Sequence, residues 1–285
     1  MRRFACLALL VVVACKAKQT APKQEAVAPA TPDARTVAAT EDARPAFDAE
    51  PVPKWANDPP EVLRGKIIGI NAHVIVLKTS AHLTEYRDVL AKVERTPGVV
   101  AAAPFIFAEL EIAKTGKPPV SVAIKAVDPK RVGRVLTVGK HMTEGTLESL
   151  AKGKPPSIVL GDVLAQTLGV KVGDEVTVTH PKMDDAFAGV LPEPKPGVFR
   201  VTGMFHMDFD EYDERLAFVP LAAMQEMLAR GDQVMGIEMT VKDLDRSDEI
   251  AKAIETKLGG HPYDAQDWYE LNQQLFVSLF GQRRP

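Results

Sequence analysis

Two stretches far apart in this chain carry the same order of patterns, and a chain built that way has few folds open to it. The first begins with Ala72-His-Val-Ile-Val-Leu-Lys78, a β-branched run that reads as a strand. Leu83 to Arg95 follows with Tyr86, Val89, Leu90 and Val93 at helical spacing, and Pro97-Gly98 as the stop. Val99 to Ile112 and Val120 to Val127 read as two more strands, with Thr115-Gly-Lys-Pro-Pro119 as the turn between them. The second stretch repeats strand, helix, strand: Gly236 to Lys242, then Ser247 to Leu258, then a short strand near Tyr263. Ser247 is expected as the N-cap of that helix and Gly259-Gly260 as its end. Two such units make one split β-α-β sheet with helices on a single face, and whatever lies between them becomes an insertion. The sequence therefore predicts an α+β fold, with a split β-α-β subdomain from residues 62–128 and 232–280 around an inserted β-rich subdomain of residues 129–231.

Within the insertion, the run from Ser157 to Val178 reads as a short strand, a helix closed by Gly169, a turn at Gly173-Asp174 and another strand. Thr179 to Gly197 is then a proline-rich connection, far longer than the two to five residues usual in a hairpin. Loops of this length carry function more often than packing. Phe187, Val190 and Leu191, stiffened by Pro192, are its candidate partner-binding residues, because proline limits the entropy lost when an apolar segment docks.

The N-terminal part is of a different kind. Arg2 and Arg3, a short apolar stretch from Phe4 to Val13, and Val12-Val13-Ala14-Cys15 have the form of a lipoprotein signal peptide covering residues 1–14. Cys15 is the lipidation site in this reading, since a thiolate can take a diacylglyceryl group as a thioether. Lys16, where an aspartate would favour the inner membrane, places the expected anchor at the outer membrane of a Gram-negative-type envelope, facing the periplasm. Residues 15–61 are rich in Ala, Pro, Thr and charged residues and nearly devoid of large apolar ones, so they read as a disordered tether. About 45 residues of this composition reach roughly 40 Å on average.

Charge and cysteine content exclude other classes. Of 35 basic residues, Arg2 and Arg3 leave with the signal peptide, so 33 face 38 acids at a formal charge of −5. A mildly acidic chain with no basic block is not built to bind nucleic acid. Cys6 leaves with the signal peptide and Cys15 is acylated, so the core must hold without an internal disulfide.

Reactive motifs are sparse. No Gly-x-Ser-x-Gly elbow occurs, and Ser80, Ser121, Ser149 and Ser157 have no flanking motif. Asp162 with His180 or Asp174 is the nearest thing to an acid/base pair, but both aspartates sit where a helix start and a turn explain them. His206-Met-Asp-Phe-Asp-Glu-Tyr-Asp-Glu214 gathers ligand-type side chains without the turn glycine or spacing of a closed metal loop. The methionines from Met204 to Met239 read mostly as core. No catalytic residue, metal or cofactor is expected.

Several of these segments resemble the periplasmic domain of lipoprotein-releasing ABC transporter permeases, LolC and LolE, which is related to the MacB-like periplasmic core domain. The resemblance is carried by Gly69 to Val76, Pro97 to Pro104, Gly161 to Val178, Phe199 to Phe205, Tyr212 to Pro220 and Trp268 to Phe276, in that order, over about residues 64–280. It implies a non-enzymatic extracytoplasmic domain that relays ATP-driven movement and, in one paralogue, hands a lipoprotein to a soluble carrier through a protruding loop. In the family, membrane helices flank this domain. Here the first is replaced by the tether and the others by Gly281-Gln-Arg-Arg-Pro285, so the chain is not expected to be the pump itself: either the permease body is encoded separately or the domain is reused as an accessory module. The expected partners are the membrane, through the acyl chains, and a permease, carrier or lipoprotein. Gly197 and Val198 stand where basic side chains would favour carrier docking. The competing expectation is a structural or sensory envelope lipoprotein that keeps the fold without the traffic.

Overall fold

The computed structural model describes residues 71–79, 82–180, 196–229 and 231–273, together with Pro59, Glu61, Val62, Gly65, Lys66 and Ile68. The first cycle is β1 (Val74–Lys78), α1 (Tyr86–Glu94), β2 (Val99–Ala113) and β3 (Val120–Val127), and the last is β9 (Gly236–Val241), α6 (Ser247–Leu258) and β10 (Tyr263–Asp267). Between them lie α2 (Val132–Val135), β4 (Met142–Gly145), β5 (Ser157–Gly161), α3 (Asp162–Leu168), β6 (Glu175–Thr179), β7 (Gly197–Phe205), α4 (Asp210–Arg215), β8 (Leu216–Pro220) and α5 (Leu221–Met227). The fold is mixed α+β, and its ten strands share one hydrogen-bonded network.

One end of that network is an open sheet in the order β10-β1-β9-β2, with every pair antiparallel. Helices α1 and α6 bury Val89, Leu90, Val93, Ala251 and Ile254 against one face of it, where they meet Val74, Val76, Ile237 and Met239. These are the helical-spacing residues of the sequence, and burial of this stripe is what holds two short helices in place. The opposite face is covered too. Ile75, Ala101, Ala103 and Phe105 pack there with Val132 and Val135 of α2 and with Trp268. Burial on both faces explains why β2 reads as a continuous apolar run rather than an alternating one. Pro104 is tolerated within it because Val99–Pro104 has β9 as its one paired neighbour, and pairing with β3 starts at Phe105.

The other end is a closed ring. Strand β2 continues past Phe105 to pair with β3, β3 pairs with β8 in parallel, β8 with β5, β5 with β7, β7 with β6, and β6 returns to β2 through Glu111↔Thr179 and Ala113↔Thr177. Leu110, Ile112, Val122, Ile124, Ile158, Leu160, Val176, Val178, Phe199 and Val201 form one continuous buried cluster with the residues under α1 and α6. Closure removes free strand edges, which an open sheet must otherwise cover or charge. The hairpin tip between β2 and β3 is tied to the ring as well: Lys114 Nζ donates to the Gly169 carbonyl at 2.8 Å and to Asp174 Oδ2 at 2.9 Å. Gly169 ends α3 with a φ of 65°, a left-handed conformation that favours glycine, so the lysine sits at the negative end of that helix.

One local expectation needs correction. Ser247 does not cap α6. A 3₁₀ turn, Leu244–Arg246, precedes that helix, its cap is Asp243, and Ser247 is fully buried with its hydroxyl donating to Asp267 Oδ2 at 3.1 Å. After β7, Asp210–Arg215 forms α4, whose first turn carries Asp210, Glu211 and Asp213. Acidic residues in that position are favoured by the exposed N–H groups of a helix start.

Candidate functional site

The structure assembles its densest polar cluster where the ring's β5, β7 and α4 meet. Gly161 ends β5, and a Cβ there would stand 2.3 Å from the Asp213 carbonyl oxygen, so the absence of a side chain is what allows α4 to press on the β5–α3 junction. That approach brings Asp162, in the first turn of α3, against His206, just past the end of β7. His206 Nδ1 lies 3.0 Å from Asp162 Oδ1 and 3.4 Å from Asp213 Oδ2, and Nε2 lies 3.0 Å from Asp208 Oδ1. Asp213 is 2% exposed and accepts the backbone N–H groups of Met207 at 2.7 Å and Phe209 at 3.2 Å. Asp208 adopts a φ of 56°, which aspartate tolerates better than most residues, and so folds back onto the ring nitrogen.

The electrostatics follow from this placement. The Asp162 carboxylate raises the pKa of His206 above its ordinary 6.5, with Asp213 and Asp208 adding to the effect and partial burial opposing it. Burial raises the pKa of Asp213, against the stabilising pull of the Met207 N–H and of His206. The Asp162, His206 and Asp213 donor atoms lie within 4.8 Å of one another. A cation, however, needs a ring nitrogen with a free lone pair. Both nitrogens of His206 face carboxylate oxygens, which accept when ionised, so both contacts are hydrogen bonds when the ring carries two protons, and a cation would have to displace one of those protons.

A second polar feature is buried under the shared strand. Lys125 Nζ of β3 and Glu238 Oε2 of β9 meet at 2.6 Å across β2, with Glu238 1% exposed. Burial raises the pKa of Glu238 and the Lys125 charge lowers it, while its other oxygen, Oε1, has no hydrogen-bond partner. The Phe105 ring lies 5.6 Å below the ammonium group. Neither feature has the nucleophile, base and third group of a catalytic arrangement.

Other residues singled out in the sequence are placed as follows. Asp162 does not pair with His180 or Asp174. Asp174 is held by Lys114 and by the Lys171 N–H, and the lysine draws its pKa down. Ser149 donates to the Thr146 carbonyl and Ser157 to the Lys152 carbonyl, so both hydroxyls serve the backbone. Met204, Met207, Met224, Met227 and Met239 are buried, as the core reading expected. Cys15 and the loop residues Phe187, Val190, Leu191 and Pro192 lie outside the described residues. The Asp162–His206–Asp213 cluster was half visible in sequence: His206, Asp208 and Asp213 are neighbours in the chain, but Asp162 is 44 positions away from His206. The strand-end pair Gly161-Asp162 was the available signal, since a glycine at a strand–helix junction marks a close approach by another segment.

An α+β module in which strands from distant parts of the chain share one long strand with a closed ring is the class these features define. The chain belongs to the MacB-like periplasmic core domain family, whose model matches residues 17–257. It is 30% identical over 217 residues to the lipoprotein-releasing system transmembrane protein LolC of Xylella fastidiosa, covering 76% of this chain and 51% of that protein. It is 25% identical over 188 residues to LolE of Haemophilus influenzae, covering 64% of this chain and 43% of that protein. The chain thus spans about half the length of the curated relatives it matches. Among solved structures, the periplasmic region of MacB from Actinobacillus actinomycetemcomitans aligns with a TM-score of 0.46 at 12% identity, over 73% of this chain and 95% of that one.

Proposed function

We propose that the protein is a lipid-anchored, non-enzymatic module facing the periplasm that serves an ABC-type system for lipoprotein export or sorting. The observation that carries this reading is the similarity to LolC, whose name describes a transmembrane protein of a lipoprotein-releasing system, over 76% of this chain. The anchor rests on Arg2, Arg3 and the run ending in Cys15, with residues 15–61 as the tether and the outer membrane as its home. No helix of the described residues is long and apolar enough to cross a membrane. In this reading residues 62–128 and 232–280 form one subdomain and residues 129–231 the other. The partner, a permease, lipoprotein or carrier, is met by Phe187, Val190, Leu191 and Pro192. That loop leaves the ring after Thr179 and rejoins it at Gly197.

The test is affinity purification of the full chain from membranes, with mass spectrometry of what accompanies it. Recovery of an ABC transporter subunit or a lipoprotein carrier is expected, and Cys15→Ser should abolish incorporation of a labelled fatty acid. Repeated recovery of the acylated protein without either partner would leave a structural or sensory envelope lipoprotein as the better description.

A further inference from the structure

We propose that His206 is the proton-bearing pin of a latch, doubly protonated between Asp162 and Asp208 when closed, that clamps α4 and through it the entry point of the N-terminal segment. The inference concerns the folded body alone and does not depend on the transport reading.

Three observations build it. First, each nitrogen of His206 has a carboxylate oxygen at 3.0 Å, Asp162 on one side and Asp208 on the other. Carboxylates donate nothing when ionised, so both contacts are hydrogen bonds only if both nitrogens carry a proton. Loss of one proton turns one of the two contacts into lone pair against lone pair. Second, Asp213 of α4 is almost fully buried and lies 3.4 Å from Nδ1. Its two backbone donors remain when the ring is neutral, but its nearby positive charge does not, and an uncompensated buried carboxylate is costly. Third, α4 reaches the chain's entry. Tyr212, one residue before Asp213, is 4% exposed, and its hydroxyl accepts from Asn71 Nδ2 at 2.8 Å. Asn71 precedes β1 by three residues, at the same end of the open sheet where β10 finishes and Trp268 N–H bonds the His73 carbonyl. What happens at α4 is therefore transmitted to the point where the preceding segment joins the fold.

The charged groups around the ring come from every neighbouring element. Asp162 belongs to α3, Asp208 to the turn after β7, and Asp213 to α4, which also carries Asp210, Glu211, Glu214 and Arg215. On the remaining side the His206 backbone N–H donates to the His141 carbonyl at 3.0 Å, in a turn whose titratable side chains, Lys140 and His141, are exposed. Strand β4, paired with β7, contributes Glu144, also exposed. The sign of the dependence is set by the folded state holding the proton more tightly than the unfolded chain does. The latch is closed below the ordinary histidine value near 6.5 and opens as pH rises through the higher folded value. Asp213, whose pKa burial also raises, acts in the same direction.

The experiment is hydrogen exchange of the full chain across pH 5 to 9, corrected for intrinsic exchange, read at the Tyr212 and Asp213 amides that bond the Phe209 carbonyl. Their protection should fall several-fold as the ring deprotonates, because the folded state then loses the charge beside Asp213. The amides of β9 other than Val241, which bonds His73 Nδ1, should not change over the same range. His206→Gln should flatten the profile, and Asp162→Asn should move its midpoint to lower pH, which a merely structural contact would not do. Should His206→Gln fail to fold, the midpoint shift in Asp162→Asn decides alone. Protection that is flat with pH, an unmoved midpoint in Asp162→Asn, or stabilisation by Zn²⁺ at pH 8 that needs His206 would each overturn the proposal.

Discussion

The open sheet and the closed ring hold their polar seams with opposite charge logic. In the open sheet a carboxylate sits among donors. Glu85, just before α1, accepts from Lys78 Nζ at 2.6 Å, from the Tyr263 hydroxyl at 2.8 Å and from Thr84 at 3.0 Å, and so ties the first cycle of the chain to the last. The lysine contact is the largest of the causes that draw its pKa down to about 2. In the ring a histidine sits among acceptors, and its neighbours hold its proton on. A seam built around an anion fails in acid, and one built around a cation fails in base. The comparison teaches that one chain can carry a low-pH and a high-pH weak point in different regions, with β2 running through both.

The largest effect expected is at the pair those regions share. Glu238→Ala leaves Lys125 buried without its counter-charge and should cost about 3 to 5 kcal/mol in urea unfolding, whereas replacing Lys125 and Glu238 together with Met and Leu should restore most of it. Because β2 belongs to both regions, that loss should appear as one transition whichever region is probed. Two separate transitions would break the comparison's premise of a single cooperative unit. Next in size is Gly161→Ala, which drives a methyl group into the Asp213 backbone. It should destabilise the ring by about 1 to 3 kcal/mol and shift the His206 titration, read by NMR, while leaving the Tyr263 hydroxyl bond in place.

Smaller again is Glu85→Gln, expected to cost about 1 kcal/mol at neutral pH, because the ion pair it removes is partly exposed and screened. Its pH signature is sharper than its size. The Glu85 contribution is present above the ordinary 4.5 and is lost as pH falls from there toward 2, so the variant should lose less stability than the parent on that limb. A parent and variant with parallel acid limbs would remove the acid-labile half of the comparison. Lys114→Ala should have the smallest effect, well under about 1 kcal/mol, because the contacts it removes are near the surface.

Legibility in the sequence followed the range of the interaction. Strand β3 and helix α6 are found at the residues their patterns mark, because alternation, helical spacing and a terminal glycine are written within a dozen neighbouring positions. The run from Ser157 to Val178 gave strand, helix and strand for the same reason. Ser247 was misread as a cap because its signal is local while its partner, Asp267, is 20 positions away. Asp267 in fact caps a helical segment that follows β10 at residues 268–273: the Glu270 N–H bonds Asp267 Oδ1 at 2.8 Å and the Asp267 N–H bonds Glu270 Oε2 at 3.3 Å. That reciprocal pair is a capping box spelled out in Asp267-Trp-Tyr-Glu270, a signal that could have been read and was not.

By itself the amino-acid order determined where the helices and strands of the two repeated cycles and of the run from Ser157 to Val178 form, that the body must cohere without an internal disulfide, and that histidine and acids gather between residues 206 and 214. It could not decide that β6 returns to β2 to close a ring, that β8 lies parallel to β3, or that Asp162 meets His206. Local conformation depends on backbone sterics and the burial of nearby side chains, which short windows of sequence contain. Strand pairing and the protonation of a side chain depend on which groups are brought within a few ångströms across the whole chain, and only the folded arrangement specifies that.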